Sequence, residues 1–260
     1  PFLGREGAGM VYDARADRVI LFGGVDAGNA YSNQTWAYDA TMDTWTRMNP
    51  VRSPPAMAFG SMVYDPLSDR VLLFGGAQGL PTFGATWSYA YAADTWTNVT
   101  PTLSPLARAG AAMAYDGALG EAFLSGGRLG APYGVQAPDL WAYHILNGTW
   151  TLESPRHNPP QVATASLAYD SRADRTVLFG APNGDTWDYE PGANDWIDAP
   201  SSTGLGFRSD TPVVYDSRDD RFILFGGSAD SGMRSLAATL ADRGTLSSRS
   251  STIASASRRR

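Results

Sequence analysis

A tyrosine, a glycine pair and two tryptophans recur along this chain in a register that hardly varies. Tyr12, Tyr64, Tyr115, Tyr169 and Tyr215 each stand 12 residues before a matching position, held by Gly24, Gly76, Gly127, Ala181 and Gly227. In four of the five repeats that position closes a glycine pair: Gly23–Gly24, Gly75–Gly76, Gly126–Gly127 and Gly226–Gly227. Four repeats then carry tryptophans nine residues apart, Trp36/Trp45, Trp87/Trp96, Trp141/Trp150 and Trp187/Trp196, with 19 residues from the second tryptophan to the next tyrosine. Only the stretch from the glycine pair to the first tryptophan changes, running 12, 11, 14 and 6 residues. Tandem periods of 46–54 residues dictate a repeat architecture, in which each unit buries its faces against its neighbours.

Each unit holds four strand-like runs. In the first unit they are residues 9–13 (GMVYD), 18–22 (RVILF), 35–39 (TWAYD) and 44–48 (TWTRM). The second is apolar throughout, as in a strand buried on both faces; the third and fourth alternate and carry β-favouring Thr, Trp and Tyr. Short polar links join the first to the second and the third to the fourth, so these pairs are antiparallel hairpins. Asp13, Asp65, Asp170 and Asp216 open the first link of their repeats and are expected to hydrogen-bond its backbone.

Composition narrows the functional classes. The 260 residues include no cysteine, which removes disulfides, thiolate metal sites and cysteine nucleophiles. All 20 basic residues are arginine, so no lysine Schiff base or lysine general base exists. A formal charge of −6 argues against a nucleic-acid partner. No apolar run approaches the ~20 residues of a membrane helix, so no membrane partner is expected. The chain opens at Pro1, already inside the pattern, and is read as a fragment.

A strand ending in a glycine pair, a Thr-Trp strand and a second tryptophan together resemble the Kelch repeat of β-propellers, a group that includes the central domain of galactose oxidase. The resemblance covers residues 1–230 and implies an all-β, Kelch-type β-propeller whose blades fan around a central channel. The tryptophans, all eight of them, are expected to be core residues that fill the wedge gaps between neighbouring blades. Blades are expected at about 1–50, 51–100, 101–153 and 154–199, with a partial blade at 200–230. That gives about 4.5 four-stranded blades, an open piece of a six- or seven-bladed propeller. Residues 231–260, rich in Ser, Ala and Arg and without tryptophan, are expected to form a low-complexity, disordered tail. A substitute strand near 239–247 is the alternative. Exposed edges in an open array call for missing blades or self-association to cover them.

Strand alternation places the links of variable length together on one side, where binding surfaces are usually built. Those loops carry Tyr31, Phe83 and Tyr133, six or seven residues past the glycine pair. They are candidate contacts for a peptide or a sugar ring, or else they pack on their own blades. Arg5, Arg108 and Arg208 each lie seven residues before the repeat tyrosine, where Met57 and Val162 stand in the other two repeats. Near a channel mouth, three guanidinium groups are candidates to hold a carboxylate or phosphate; the alternative is structural pairing within each blade.

Copper-radical oxidation of the galactose oxidase type needs a cysteine that is absent. His144 and His157 are the only histidines and are read as incidental. No catalytic residue, metal site or cofactor is assigned. The first functional reading is a non-catalytic interaction module presenting its loops to a protein or carbohydrate. The second is a carbohydrate- or sialic-acid-active propeller using channel arginines and carboxylates, and the third is a structural domain of a larger protein. The second requires the arginines to converge beside a carboxylate; the first does not.

Overall fold

A computed structural model describes residues 4–130, 134–160, 165–180, 185–199, 211–227 and 237–241. The first sheet comprises β1 (Gly9–Asp13), β2 (Arg18–Phe22), β3 (Thr35–Asp39) and β4 (Thr44–Arg47). The second comprises β5 (Ser61–Asp65), β6 (Arg70–Phe74), β7 (Thr86–Ala90) and β8 (Thr95–Asn98). The third repeat holds β9 (Arg108–Ala109), β10 (Ala112–Asp116), β11 (Glu121–Ser125), β12 (Arg128–Leu129), β13 (Val135–Gln136), β14 (Leu140–His144) and β15 (Thr149–Glu153), with β10, β11, β14 and β15 forming its four-stranded sheet and β9, β12 and β13 a separate small one. The fourth sheet holds β16 (Ser166–Asp170), β17 (Arg175–Phe179), β18 (Thr186–Glu190) and β19 (Asp195–Ala199). The fifth holds β20 (Val213–Asp216), β21 (Arg221–Phe225) and β22 (Ala237–Ala241). Each sheet is an antiparallel meander, and the first strands pack in series, β1 on β5, β5 on β10, β10 on β16 and β16 on β20. This is the expected open Kelch-type array, and among the described residues no strand of the fifth sheet pairs with the first.

Stacking explains why the second strand of each repeat is apolar on both faces. Ile20 and Phe22 turn toward the next sheet and form one core cluster with Val71, Leu73, Tyr89 and Trp96. The alternate residues of β6, Leu72 and Phe74, turn the other way and meet Leu124, Tyr143 and Trp150. The second tryptophan of the second, third and fourth repeats is thus a wedge against the preceding sheet, with Trp96, Trp150 and Trp196 at most 2% exposed. Burying a large apolar side chain to that degree contributes about 1.5–3 kcal/mol. The indole also donates across the seam, Trp96 Nε1 to Thr35 Oγ1 and Trp150 Nε1 to Thr86 Oγ1, each at 2.9 Å.

Trp45 corrects the expectation that every repeat tryptophan is a wedge between blades. It holds the same place on β4 that Trp96 holds on β8, yet it is only half-buried, and Thr44, Thr46 and Arg47 around it are exposed. The reason is its position in the array. A second tryptophan packs on the sheet before its own, and among the described residues no sheet precedes the first. Trp45 keeps the contact internal to its repeat, its ring 5.0 Å from that of Tyr38, as Trp96 keeps Tyr89 at 4.9 Å. Trp96 adds a contact across the seam, its ring 5.0 Å from that of Phe22 on the preceding sheet. The first tryptophans are also less enclosed than the expectation had them: Trp141 is buried, while Trp36, Trp87 and Trp187 are half-buried.

The fifth sheet departs from expectation. It has three strands where two were expected, because β22 pairs with β21 over residues assigned to the tail. Ala238 lies opposite Leu224, as Trp36 lies opposite Leu21, so an alanine occupies the register of the first tryptophan. The open edge of β21 and a suitable loop length are enough for backbone pairing without that side chain. The seam is filled instead by Phe222, whose ring lies 5.0 Å from that of Phe179. Residues 242–260 fall outside the described residues, as does Ala181.

The hairpin links share one construction. Among the described residues, nine of them begin at a tyrosine and end five residues later in a left-handed residue, such as Asp17 (φ 54°), Asp94 (φ 44°) or Gly120 (φ 70°). Where that residue is Asp or Asn, its side chain accepts the tyrosine hydroxyl, as in Tyr89 to Asp94 at 2.8 Å. The Asp that follows the tyrosine in a first link accepts two backbone N–H groups of the link, as Asp13 does from Arg15 and Ala16. The sequence assigned that turn role to Asp13, Asp65, Asp170 and Asp216, and all four accept link N–H groups.

Candidate binding face

The variable side is organised by the glycine pairs. Gly24 N–H donates to Met57 O at 2.8 Å and Gly76 N–H to Arg108 O at 2.9 Å, so each pair is a backbone rung to the next repeat. Gly75 has φ +73°, and a Cβ there would collide with Arg108 O. Positive φ and close approach therefore both demand glycine. The rung is doubled from the loop: Met57 N–H donates to Ser32 O and Arg108 N–H to Phe83 O, each at 3.0 Å. In the third repeat the same region becomes a small ladder in the order β13–β12–β9.

Arg5 and Arg108 do not converge on a shared ligand position. Arg5 Nη1 donates to Gly23 O at 3.2 Å and Ser32 Oγ at 2.6 Å, while Nη2 donates to Gln34 Oε1 at 2.5 Å, all within its own repeat. Arg108 is 1% exposed; it donates from Nη1 to Gly126 O at 3.0 Å and to Asp139 Oδ1, and from Nη2 to Asp139 Oδ2 at 2.8 Å. Burial pushes the Asp139 carboxyl up, but the Arg108 guanidinium and the Trp141 N–H more than offset this and hold it below the usual carboxylate range. The second repeat replaces both members of this latch, with Met57 at the arginine position and Ala85 at the acceptor position. Met57 is 2% exposed and packs in the core. Arg208 lies outside the described residues.

The loop aromatics part company. Phe83 packs against the core cluster shared by the first two sheets. Tyr31 is half-buried and bridges Val25 in the backbone of its own loop. Tyr133 falls outside the described residues. The non-polar side chains that do face outward on this side are aliphatic: Leu80 at 74% exposure, Leu106 at 67% and Val135 at 74%. Among the described residues one aromatic joins them. Phe59, just ahead of β5, is 38% exposed with φ +59°. Sequence reasoning missed it, although the flanking repeats carry glycine at the same position, Gly7 and Gly110.

Inward of these loops, the first strands line an axial groove of about 410 Å³ with Met10, Tyr12, Met62, Tyr64 and Val214 among its walls. Burial, the bond to Asp69 and the nearby charge of Asp13 push the Tyr64 hydroxyl up to about 12, so this phenol stays neutral near pH 7. The two histidines are tied to carboxylates. His144 Nδ1 lies 2.6 Å from Glu121 Oε1 and His157 Nδ1 lies 3.0 Å from Asp195 Oδ2. The Glu121–His144 pair takes the register of Arg18–Asp39 in the first sheet, with acid and base exchanged between strands. Among the described residues, no group of three or more His, Cys, Asp or Glu side chains is placed to hold a metal ion.

A family model described as the KLHDC2/KLHL20/DRC7 Kelch-repeats domain matches residues 1–181. Mei4-dependent protein 6 of Schizosaccharomyces pombe (strain 972 / ATCC 24843) is 26% identical over 169 residues, covering 60% of this chain and 24% of that protein. The chain thus spans about a quarter of the length of this curated relative.

Proposed function

We propose that this chain, which belongs to the Kelch-repeat family, acts as a non-catalytic interaction module that presents its variable-loop side to a protein. The observation that carries this reading is the character of what the loops expose. Leu80, Leu106 and Val135 offer aliphatic surface, and exposed apolar surface of this kind marks protein contacts. A sugar ring calls for flat aromatic platforms, but Trp96, Trp150 and Trp196 are shut inside the seams and Trp45 belongs to the open end of the array. Carbohydrate binding is therefore the weaker form of the proposal. The resemblance to the galactose oxidase central domain is one of architecture: the chain has no cysteine, so it lacks the cross-linked cofactor of that chemistry. A sialic-acid-type site loses its main support because Arg5 and Arg108 are each committed within their own repeats.

The open ends of the array, with Trp45 half-buried and Met10, Tyr12 and Phe225 each more than half exposed, are proposed to be covered by another blade or another copy. The functional reading is tested by screening the protein on a displayed peptide library and a glycan array in parallel. Peptide binding that falls at least tenfold in Leu80→Asp and Leu106→Asp supports it. Glycan binding indifferent to both substitutions, with no peptide bound, overturns it.

A further inference from the structure

We propose that Phe59 is the central contact of the loop-side face, held in a left-handed backbone conformation with its ring partly exposed to receive an apolar polypeptide segment. The proposal rests on the functional reading above and adds to it one residue and the chemistry of the partner.

Position 59 has a backbone duty that any glycine would meet. Gly7 (φ +65°), Phe59 (φ +59°) and Gly110 (φ +66°) occupy equivalent places five residues before the repeat tyrosine. Backbone bonds string them together from one repeat to the next. Phe59 N–H donates to Gly7 O at 2.7 Å and Gly110 N–H donates to Phe59 O at 2.8 Å. A bulky side chain in this region crowds its own backbone, and phenylalanine is rarely found there. The conformation persists because both bonds and the Ala58–Ala77 bridge fix the segment from outside. The ring covers Gly7, where an added Cβ would lie 2.8 Å from it, yet more than a third of the residue stays exposed. A strained residue kept partly exposed on a rigid scaffold, where glycine serves its neighbours without strain, points to a role outside the fold.

The surroundings set the partner's chemistry. Residues 75–85 carry no charge, and the one charged side chain between 99 and 111, Arg108, is neutralised by Asp139. Leu80 and Leu106 stand exposed on these two segments. Both segments reach Phe59 through the backbone, by the Ala58–Ala77 bridge and the Gly110–Phe59 bond. On the side of these two segments the rim is neutral and aliphatic and complements uncharged apolar side chains, while the exposed charges near Phe59, Glu6 and Arg52, lie on its other flank and on its own link.

The test pairs stability with binding, using a phage-displayed peptide library as probe on wild type and Phe59→Gly. Relief of backbone strain is expected to leave the thermal midpoint unchanged or raise it by a few degrees. Peptides selected on the wild type, rich in Leu, Ile, Val and Phe, are expected to lose at least tenfold in affinity. A midpoint that falls by several degrees makes the ring a packing element and overturns the proposal. Selected peptides that bind Phe59→Gly as well as wild type overturn it too, while leaving the loop-side reading intact. Failure of the wild type to enrich any peptide removes the loop-side reading and this proposal with it.

Discussion

The hairpin links and the loop-side segments of this array solve the same problem, closing a chain between neighbouring strands, in opposite ways. The links repeat one solution. Tyr12 with Asp17, Tyr38 with Asp43 and Tyr64 with Asp69 place the same bond and the same left-handed residue in three successive links. The loop side changes its solution from repeat to repeat: Arg5 with Gln34, then Met57 and Ala85 at the same two positions, then Arg108 with Asp139. Both sides hang on the same sheets, so variation on one side does not disturb the other. The difference teaches that the scaffold is specified once and copied, while the loop side is free to diverge.

The comparison breaks first at the glycine rungs, which belong to the loop side but vary as little as the links. Gly75→Val should cost about 4 kcal/mol or more in urea unfolding, since it adds a side chain at positive φ against Arg108 O. Gly79 shares the positive φ but faces open space, and Gly79→Ala should cost about 1 kcal/mol.

Next is the latch. Arg108→Met alone strands Asp139 beside a buried seam and should cost about 3 kcal/mol. Adding Asp139→Ala recreates the Met57–Ala85 pair of the second repeat and should recover most of that loss, so a double-mutant cycle reads a strong positive coupling. Simple additivity would mean the two latches are not interchangeable.

A smaller effect belongs to the links. Asp94→Ala removes the Tyr89 acceptor and leaves a Cβ at φ 44°, which should cost about 1–2 kcal/mol. Asp94→Gly should cost less, as Gly120 and Gly148 serve at matching positions.

The smallest effect is one of pH. The folded Asp139 carboxyl titrates below its unfolded value of about 3.9, so its stabilisation is present above that pH and fades as pH falls through the folded value. Urea midpoints taken from pH 6 down to pH 2 should show this acid limb reduced in Arg108→Met.

Much of the scaffold was legible because its determinants are local. Spacing and residue type located β1 to β4 within a residue, and the glycine pairs announced a backbone constraint that the φ values bear out. Burial was less legible than position. Trp45 obeys the same spacing as Trp96, but spacing says nothing about whether a sheet lies beyond it, and that decides how much of the ring is covered. The loop side resisted because its partners are distant in sequence. Arg108 meets Asp139 across 31 residues, and nothing in the spacing of the arginines reveals that Arg5 and Arg108 are each claimed by their own repeat. Phe83 reads as a loop-tip aromatic until the next repeat's backbone is seen to draw it inward. Phe59 was hidden because phenylalanine does not advertise positive φ; its alignment with Gly7 and Gly110 was the available clue. The third strand of the fifth sheet overlaps the substitute strand near 239–247, which stands second to a disordered tail because the stretch lacks tryptophan and is rich in Ser, Ala and Arg.

The division between a copied side and a divergent side is tested most directly by native-state hydrogen exchange resolved by residue. The account predicts that Arg15 and Ala16, held by the buried Asp13, and Gly24 and Gly76, held by the next repeat, exchange about as slowly as the strand amides. Gly79 and Leu80, at the tip of an exposed loop, should exchange orders of magnitude faster. Link amides that exchange as fast as Gly79 and Leu80, or rungs that open independently of the sheets, would contradict it.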